Sequence, residues 1–180
     1  MREHPQDFSE LASRLTETAQ ASFERAGLIA HNSGSPFVGT EHVLLGVLAQ
    51  NSSMGAKILA ESGVTLDRVE TTLELTASGV RFALIDHGVH ADVVAMVRGA
   101  WELALEFGQS KIGTEHLIYS MLMQQNARAT RLLEDMNVDL ETLRGNLENV
   151  FDRQQSESEH DLKDSPNVSD SVSLKSLQKF

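Results

Sequence analysis

The tetrapeptide Gly-Thr-Glu-His occurs twice, at Gly39–His42 and Gly113–His116, and the 74-residue shift between the copies aligns far more than the motif. Under it Leu48, Gln50, Leu59, Val64, Leu66, Leu73 and Glu74 fall on Leu122, Gln124, Leu133, Val138, Leu140, Leu147 and Glu148. With the motif that makes 11 identities over the 39 positions from Gly39 to Ala77, without a gap. Other positions exchange like for like, as Val43 with Leu117 and Lys57 with Arg131. An internal repeat restricts the fold severely, because a unit that cannot bury its apolar face alone must stack on its copy. Two copies of one half-domain, packed into a pseudo-symmetric whole, are expected.

The period inside the unit is helical. Ala19, Phe23, Ala26 and Ala30 share one face of a 3.6-residue repeat, and Asn32-Ser33-Gly34-Ser35-Pro36 ends that helix with turn residues. Thr40 is predicted to cap a second helix, with Glu41 in its first turn and Val43, Leu44, Val47 and Leu48 inward. A third helix carries Ala56, Ile58 and Leu59 to Gly63, a natural left-handed end, and Thr65 caps a fourth. The second copy follows the same plan: Val93 to Ala104 closed by Gly108, Thr114 as a cap, Leu132 to Met136 with Asn137 in place of Gly63, then Asp139 capping the last helix. Apolar residues fall at three and four, never at strand alternation. The expected fold is all-α, two four-helix repeats, at about 15–77 and 90–151, joined by a linker at 78–89.

Outside that domain lie a polar lead-in at 1–14, either a short helix or frayed, and a tail at 152–180. Gln154 to Asp170 is nearly devoid of apolar residues and reads as a disordered acidic linker. The 180 residues suffice for one domain with a real core. A net charge of −11 speaks against non-specific nucleic-acid binding, which needs a basic surface. Absence of cysteine removes disulfide and thiolate chemistry; no secretory or membrane-spanning run is visible, and a cytoplasmic protein is expected. Without a heptad seam a monomer is expected.

Catalytic and metal-binding patterns fail in turn. Gly34–Thr40 has glycines at the spacing of a phosphate loop, but no lysine follows Gly39 and Pro36 lacks a donor. His31, His42, His87, His90 and His116 show no metal-ligand spacing, and no serine sits in a nucleophile elbow. No cofactor or metal is expected, and a small hydrolase or metal enzyme built on His31, His42 or His116 is the rival reading. Glu41 and Glu115 recur with the repeat. At a helix start an acid is worth a few tenths to about 1 kcal/mol by charge–dipole attraction. Yet Leu45, Gly46 and Val47 drift to Tyr119, Ser120 and Met121 while Gly-Thr-Glu-His stays unchanged. Capping alone would tolerate Ser for Thr or Asp for Glu, so a binding role competes with helix initiation.

With Leu15-Thr16-Glu17-Thr18-Ala19 ahead of the first motif, and an apolar run after each, the stretch from about Leu15 to Phe151 resembles the N-terminal repeat domain of Clp-type AAA+ unfoldases, nearest the ClpC branch. The resemblance implies a non-enzymatic docking domain that receives protein substrates and adaptor proteins for an ATPase ring, supplied in cis or in trans. It also implies that Glu41 and Glu115 bind phosphorylated arginine, one site per repeat, aided by Thr16, Thr40 and Thr114. A carboxylate pairs with a guanidinium through charge-assisted bonds, and hydroxyls and free amides meet the phosphate. Shifted by 74, Thr16 lands on His90, followed by Asp92. A first site at Thr16 and Glu41 is therefore expected to outperform the second. The closing Leu174–Phe180 is similar to the opening of the family's ATPase module. A piece of a longer unfoldase and a free-standing adaptor or ligand-sequestering decoy both fit.

Overall fold

The computed structural model describes residues 7–76 and 88–164; 78–87 of the expected linker, with Phe82, Leu84, Ile85 and His87, and 165–180 of the tail lie outside the described residues. A short helix, α1 (Phe8–Ala12), precedes the first repeat: α2 (Glu17–Asn32), α3 (Thr40–Ala49), α4 (Met54–Glu61) and α5 (Leu66–Thr76). The second repeat is α6 (Ala91–Glu106), α7 (Thr114–Leu122), α8 (Arg128–Asp135) and α9 (Leu140–Asp164). The fold is all-α, two four-helix repeats around one continuous apolar core. Helices stop where turn chemistry requires it: Gly63 at φ 75° and its counterpart Asn137 at φ 57° both take the left-handed conformation.

From Asp7 on, the lead-in is part of the structure. Leu11 of α1 is fully buried, α1 packs on α6 of the other repeat, and the Arg14 guanidinium lies 5.1 Å over the Trp101 ring. Close approach of α2 and α3 depends on small residues. A Cβ at Gly46 would strike the Ser22 carbonyl, and the counterpart Ser120 instead donates its hydroxyl to the Met96 carbonyl at 2.7 Å. The exchange of Gly46 for Ser120 thus preserves a tight interhelical contact.

Three expectations need correction. Short parallel pairings exist: β1 (Phe37–Val38) with β2 (Gly88–Val89), and a bridge between Leu15 and Ile112. Two residues per strand are too few to leave an alternating pattern. Next, Thr40 and Thr114 are not caps; Gly39 and Gly113 hold those positions, and the threonines are the first helical residues. Finally, the expected disordered linker is helical as far as Asp164. Its residues are mostly good helix formers, and Phe151 and Gln154 anchor the helix on α7. Counting apolar residues in a window misses two anchors placed one turn apart.

The freed threonines join the repeats. Thr40 Oγ1 accepts from Ala129 N of α8 at 3.1 Å, and Thr114 Oγ1 accepts from Gly55 N of α4 at 2.9 Å. Gly55 and Ala129 are counterparts under the 74-residue shift, and each sits in a helical first turn whose amides have no intrahelical acceptor. Each motif therefore closes the third helix of the other repeat. The terminal strands cross too: Thr16 N donates to Ile112 O and His90 N to Val38 O, both at 2.9 Å. Leaving a buried amide unpaired costs about 1–3 kcal/mol. Thr40→Val and Thr114→Val are each expected to lower stability by about that amount in urea unfolding, and Thr40→Ser by less.

Candidate functional site

Each letter of Gly-Thr-Glu-His has a distinct physical task. The imidazole Nδ1 of His42 accepts from Gly39 N, and His116 Nδ1 from Gly113 N, both at 2.9 Å. This is half a capping box; glycine has no side chain to supply the reciprocal half. Glycine leaves room for the glutamate carboxylate to fold back over it; a Cβ at Gly39 or Gly113 would meet the Glu41 or Glu115 carboxylate and turn it aside. The threonines, 2% and 3% exposed, face the opposite repeat. Only the glutamates, 6% and 9% exposed, are left with partners that differ between copies.

In repeat one the Arg128 Nε lies 3.8 Å from Glu41 Oε1. Beside them opens a cavity of about 340 Å³ with an apolar wall of Ile29, Phe37, Leu45 and Leu73, and Glu41, His42 and Arg128 at its polar side. In repeat two the equivalent space is filled. Phe151 of α9, 0% exposed, stacks on His116 at 5.2 Å and 3°, and meets Phe107 at 5.2 Å and Tyr119 at 5.6 Å. Those three residues are the counterparts of His42, Ser33 and Leu45, which line the open cavity. One turn on, Gln154 Nε2 donates to Glu115 Oε1 at 3.1 Å. Among the described residues, the two copies of the motif thus head an open site and a closed one.

The expected grouping of Thr16 with Glu41 is not what the fold brings together. Through Ile112, Thr16 is bonded beside the second motif, and its hydroxyl caps α2 by accepting from Ala19 N. His90 comes to the first motif instead, its ring 4.8 Å from Phe37. Thr40 and Thr114 are committed to the repeat interface and do not line the cavity. Arg128, Phe151 and Gln154 escaped the sequence reading, which weighed what the repeat keeps. Their signal lies in the mismatches, since Arg128 stands opposite Met54 and Phe151 opposite Ala77. Among the described residues no group of three or more His, Asp or Glu is arranged to hold a metal ion.

Both motif histidines are held neutral. Burial, opposed by the neighbouring Glu41 or Glu115, pushes each below the ordinary 6.5, and Arg128 lowers His42 further. Protonation would also place a hydrogen on Nδ1, facing the glycine amide it now accepts from. Since the unfolded chain takes up these protons first, their contribution to stability is complete above pH 6.5 and is lost as pH falls through the depressed folded values. Urea unfolding is expected to show lower stability at pH 5.5 than at pH 7.5, as an order-of-magnitude window around the free imidazole value. His116→Asn is expected to flatten that dependence.

The comparisons with known proteins agree with this architecture. The family model described as the Clp repeat (R) N-terminal domain matches residues 14–80 and 91–176, one match per repeat. The chain is 32% identical over 141 residues, 78% of its length, to the ATP-dependent Clp protease ATP-binding subunit ClpA homolog of Cyanidium caldarium. It is 29% identical over 138 residues to chaperone protein ClpC1, chloroplastic, of Arabidopsis thaliana. The matches cover only 16% and 14% of those relatives. Among solved structures, the N-terminal domain of the chaperone ClpD from Arabidopsis thaliana superposes with a TM-score of 0.65 at 19% identity, covering 76% of this chain and 96% of that one. The N-domain of ClpV from Vibrio cholerae superposes with a TM-score of 0.65 at 18% identity, covering 84% and 93%. A ClpV N-domain solved in complex with a VipB peptide has the same fold, with a TM-score of 0.64 at 18% identity, covering 80% and 91%. Its two interlocked repeats and its doubled motif make the chain a member of the Clp repeat N-terminal domain family.

Proposed function

We propose that the chain is a non-catalytic docking module that receives protein substrates and adaptors for a Clp ATPase ring, in cis or in trans, and that its repeat-one site takes phosphorylated arginine. The observation that carries the second part is the pairing of Glu41 and Arg128 at the mouth of an open cavity. Phosphoarginine is a guanidinium joined to a phosphate, and this site presents an anion and a cation side by side. Glu41 would accept from the guanidinium, and Arg128, about two-fifths exposed, would meet the phosphate. Unmodified arginine would face Arg128 with no phosphate to neutralise it. At the second motif the amide of Gln154 already occupies Glu115, and Met54 stands where repeat one has Arg128. A buried, hydrogen-bonded guanidinium in place of Gln154 would have to displace α9.

A docking role also agrees with the peptide-bound ClpV N-domain, a structural neighbour of this chain. Charge-assisted hydrogen bonds are worth about 1.5–3 kcal/mol. Glu41→Ala is therefore expected to weaken binding of a phosphoarginine peptide by about ten- to a hundredfold, and Glu115→Ala by less than about threefold. Isothermal titration of the full chain measures both. Arg128→Ala is expected to erase the preference for phosphoarginine over arginine. Equal losses for the two glutamates would remove the assignment to repeat one, and no binding by the unaltered chain would remove phosphoarginine altogether.

A further inference from the structure

The second repeat displays a filling that the first one lacks among the described residues. Phe151 and Gln154, three residues apart on α9, fill the aromatic slot and bond the motif carboxylate of repeat two. In repeat one, Leu73 and Glu74 of α5 are the counterparts of Leu147 and Glu148, and they line the cavity just ahead of the position where a phenylalanine would follow. The 74-residue shift puts Ala77 at that position. The walls are matched: His42 for His116, Leu45 for Tyr119, and Glu41 for Glu115. A cavity of about 340 Å³ with an apolar wall is within the range that holds ligands. We infer that the repeat-one cavity receives a helix of a partner protein, one that presents an aromatic residue and, three positions later, an amide or guanidinium donor. The aromatic ring stacks on neutral His42 against Ile29 and Leu45, and the donor reaches Glu41, as α9 does in cis at the other repeat. The inference rests on the docking reading above and names the kind of partner segment this site selects.

The test uses a labelled peptide copying residues 147–160, held helical by a side-chain staple on the face away from Phe151, titrated by fluorescence anisotropy into the full 180-residue chain. Binding is expected, with at least about a tenfold loss for the peptide carrying Phe151→Ala and a loss of several-fold for Gln154→Ala. In the protein, Ile29→Glu is expected to abolish binding. Glu41→Gln is expected to weaken it by the same factor as Gln154→Ala in the peptide, the two losses not adding. Glu115→Gln should change nothing. Equal affinity for the Phe151→Ala peptide overturns the proposal. So does a loss that follows Glu115→Gln in place of Ile29→Glu and Glu41→Gln, which would mean that the peptide displaces α9 from repeat two. Binding that emerges only with Phe82→Ala in the protein would assign the cavity to this chain's own 77–87 segment, and also overturns it. If the stapled helix fails while a phosphoarginine peptide binds, the docking reading stands and the helical partner falls; if both fail, both fall.

Discussion

Two crossed hydrogen bonds hold this fold in register. Thr40 closes the first turn of α8 and Thr114 that of α4, so each repeat supplies an acceptor that the other cannot provide for itself. The dependence is sharper for α8, whose N-cap is Ala127 and offers no side-chain acceptor, than for α4, where Ser53 accepts from Ala56 N. Together with the exchanged backbone pairings at Ile112 and Val38, these bonds explain why neither repeat is a separate domain. Each buries the start of the other's third helix, and a helix start buried without an acceptor is costly.

That constraint reframes the identity of the motif in the two copies. Glycine, threonine and histidine each answer to a local demand: a carboxylate lying over the backbone, an amide across the interface, and an amide at the helix start. A serine could reach the amide, but it would lose the methyl group packed at a position only 2% exposed. Such a motif can stay unchanged for stability alone. The two copies differ in what approaches the glutamate from outside the motif among the described residues: Arg128 and a cavity in one case, Gln154 and the Phe151 ring in the other.

The histidines couple stability to the same geometry. Each must stay neutral to accept from its glycine, and burial keeps it so against the pull of the adjacent glutamate. Placing a second charge beside that glutamate is therefore left to Arg128, which reaches repeat one from α8 across the pseudo-twofold. The open site is composite, its anion from one repeat and its cation from the other.

Repeat length, helix order, left-handed ends at Gly63 and Asn137, and the capping role of Asp139 were legible in the sequence, because each is written within a few residues. Glu41 and Glu115 were legible as a pair for the same reason. What could not be read was which residues meet across the chain. The family resemblance paired Thr16 with Glu41, yet the exchanged strands carry its backbone to Ile112, beside the second motif. Thr40 looked like a cap because threonine is a good one, yet its hydroxyl goes to an amide 89 positions away. The α9 extension looked disordered because composition averages over a window, while two side chains a turn apart suffice to dock it. Sequence alone determined the duplicated all-α unit and the residues at its helix starts, since helical periodicity and turn chemistry are local. Tertiary structure alone decided that, among the described residues, one copy of the motif is plugged and the other open, because that depends on whether a distant helix brings a phenylalanine or leaves a cavity.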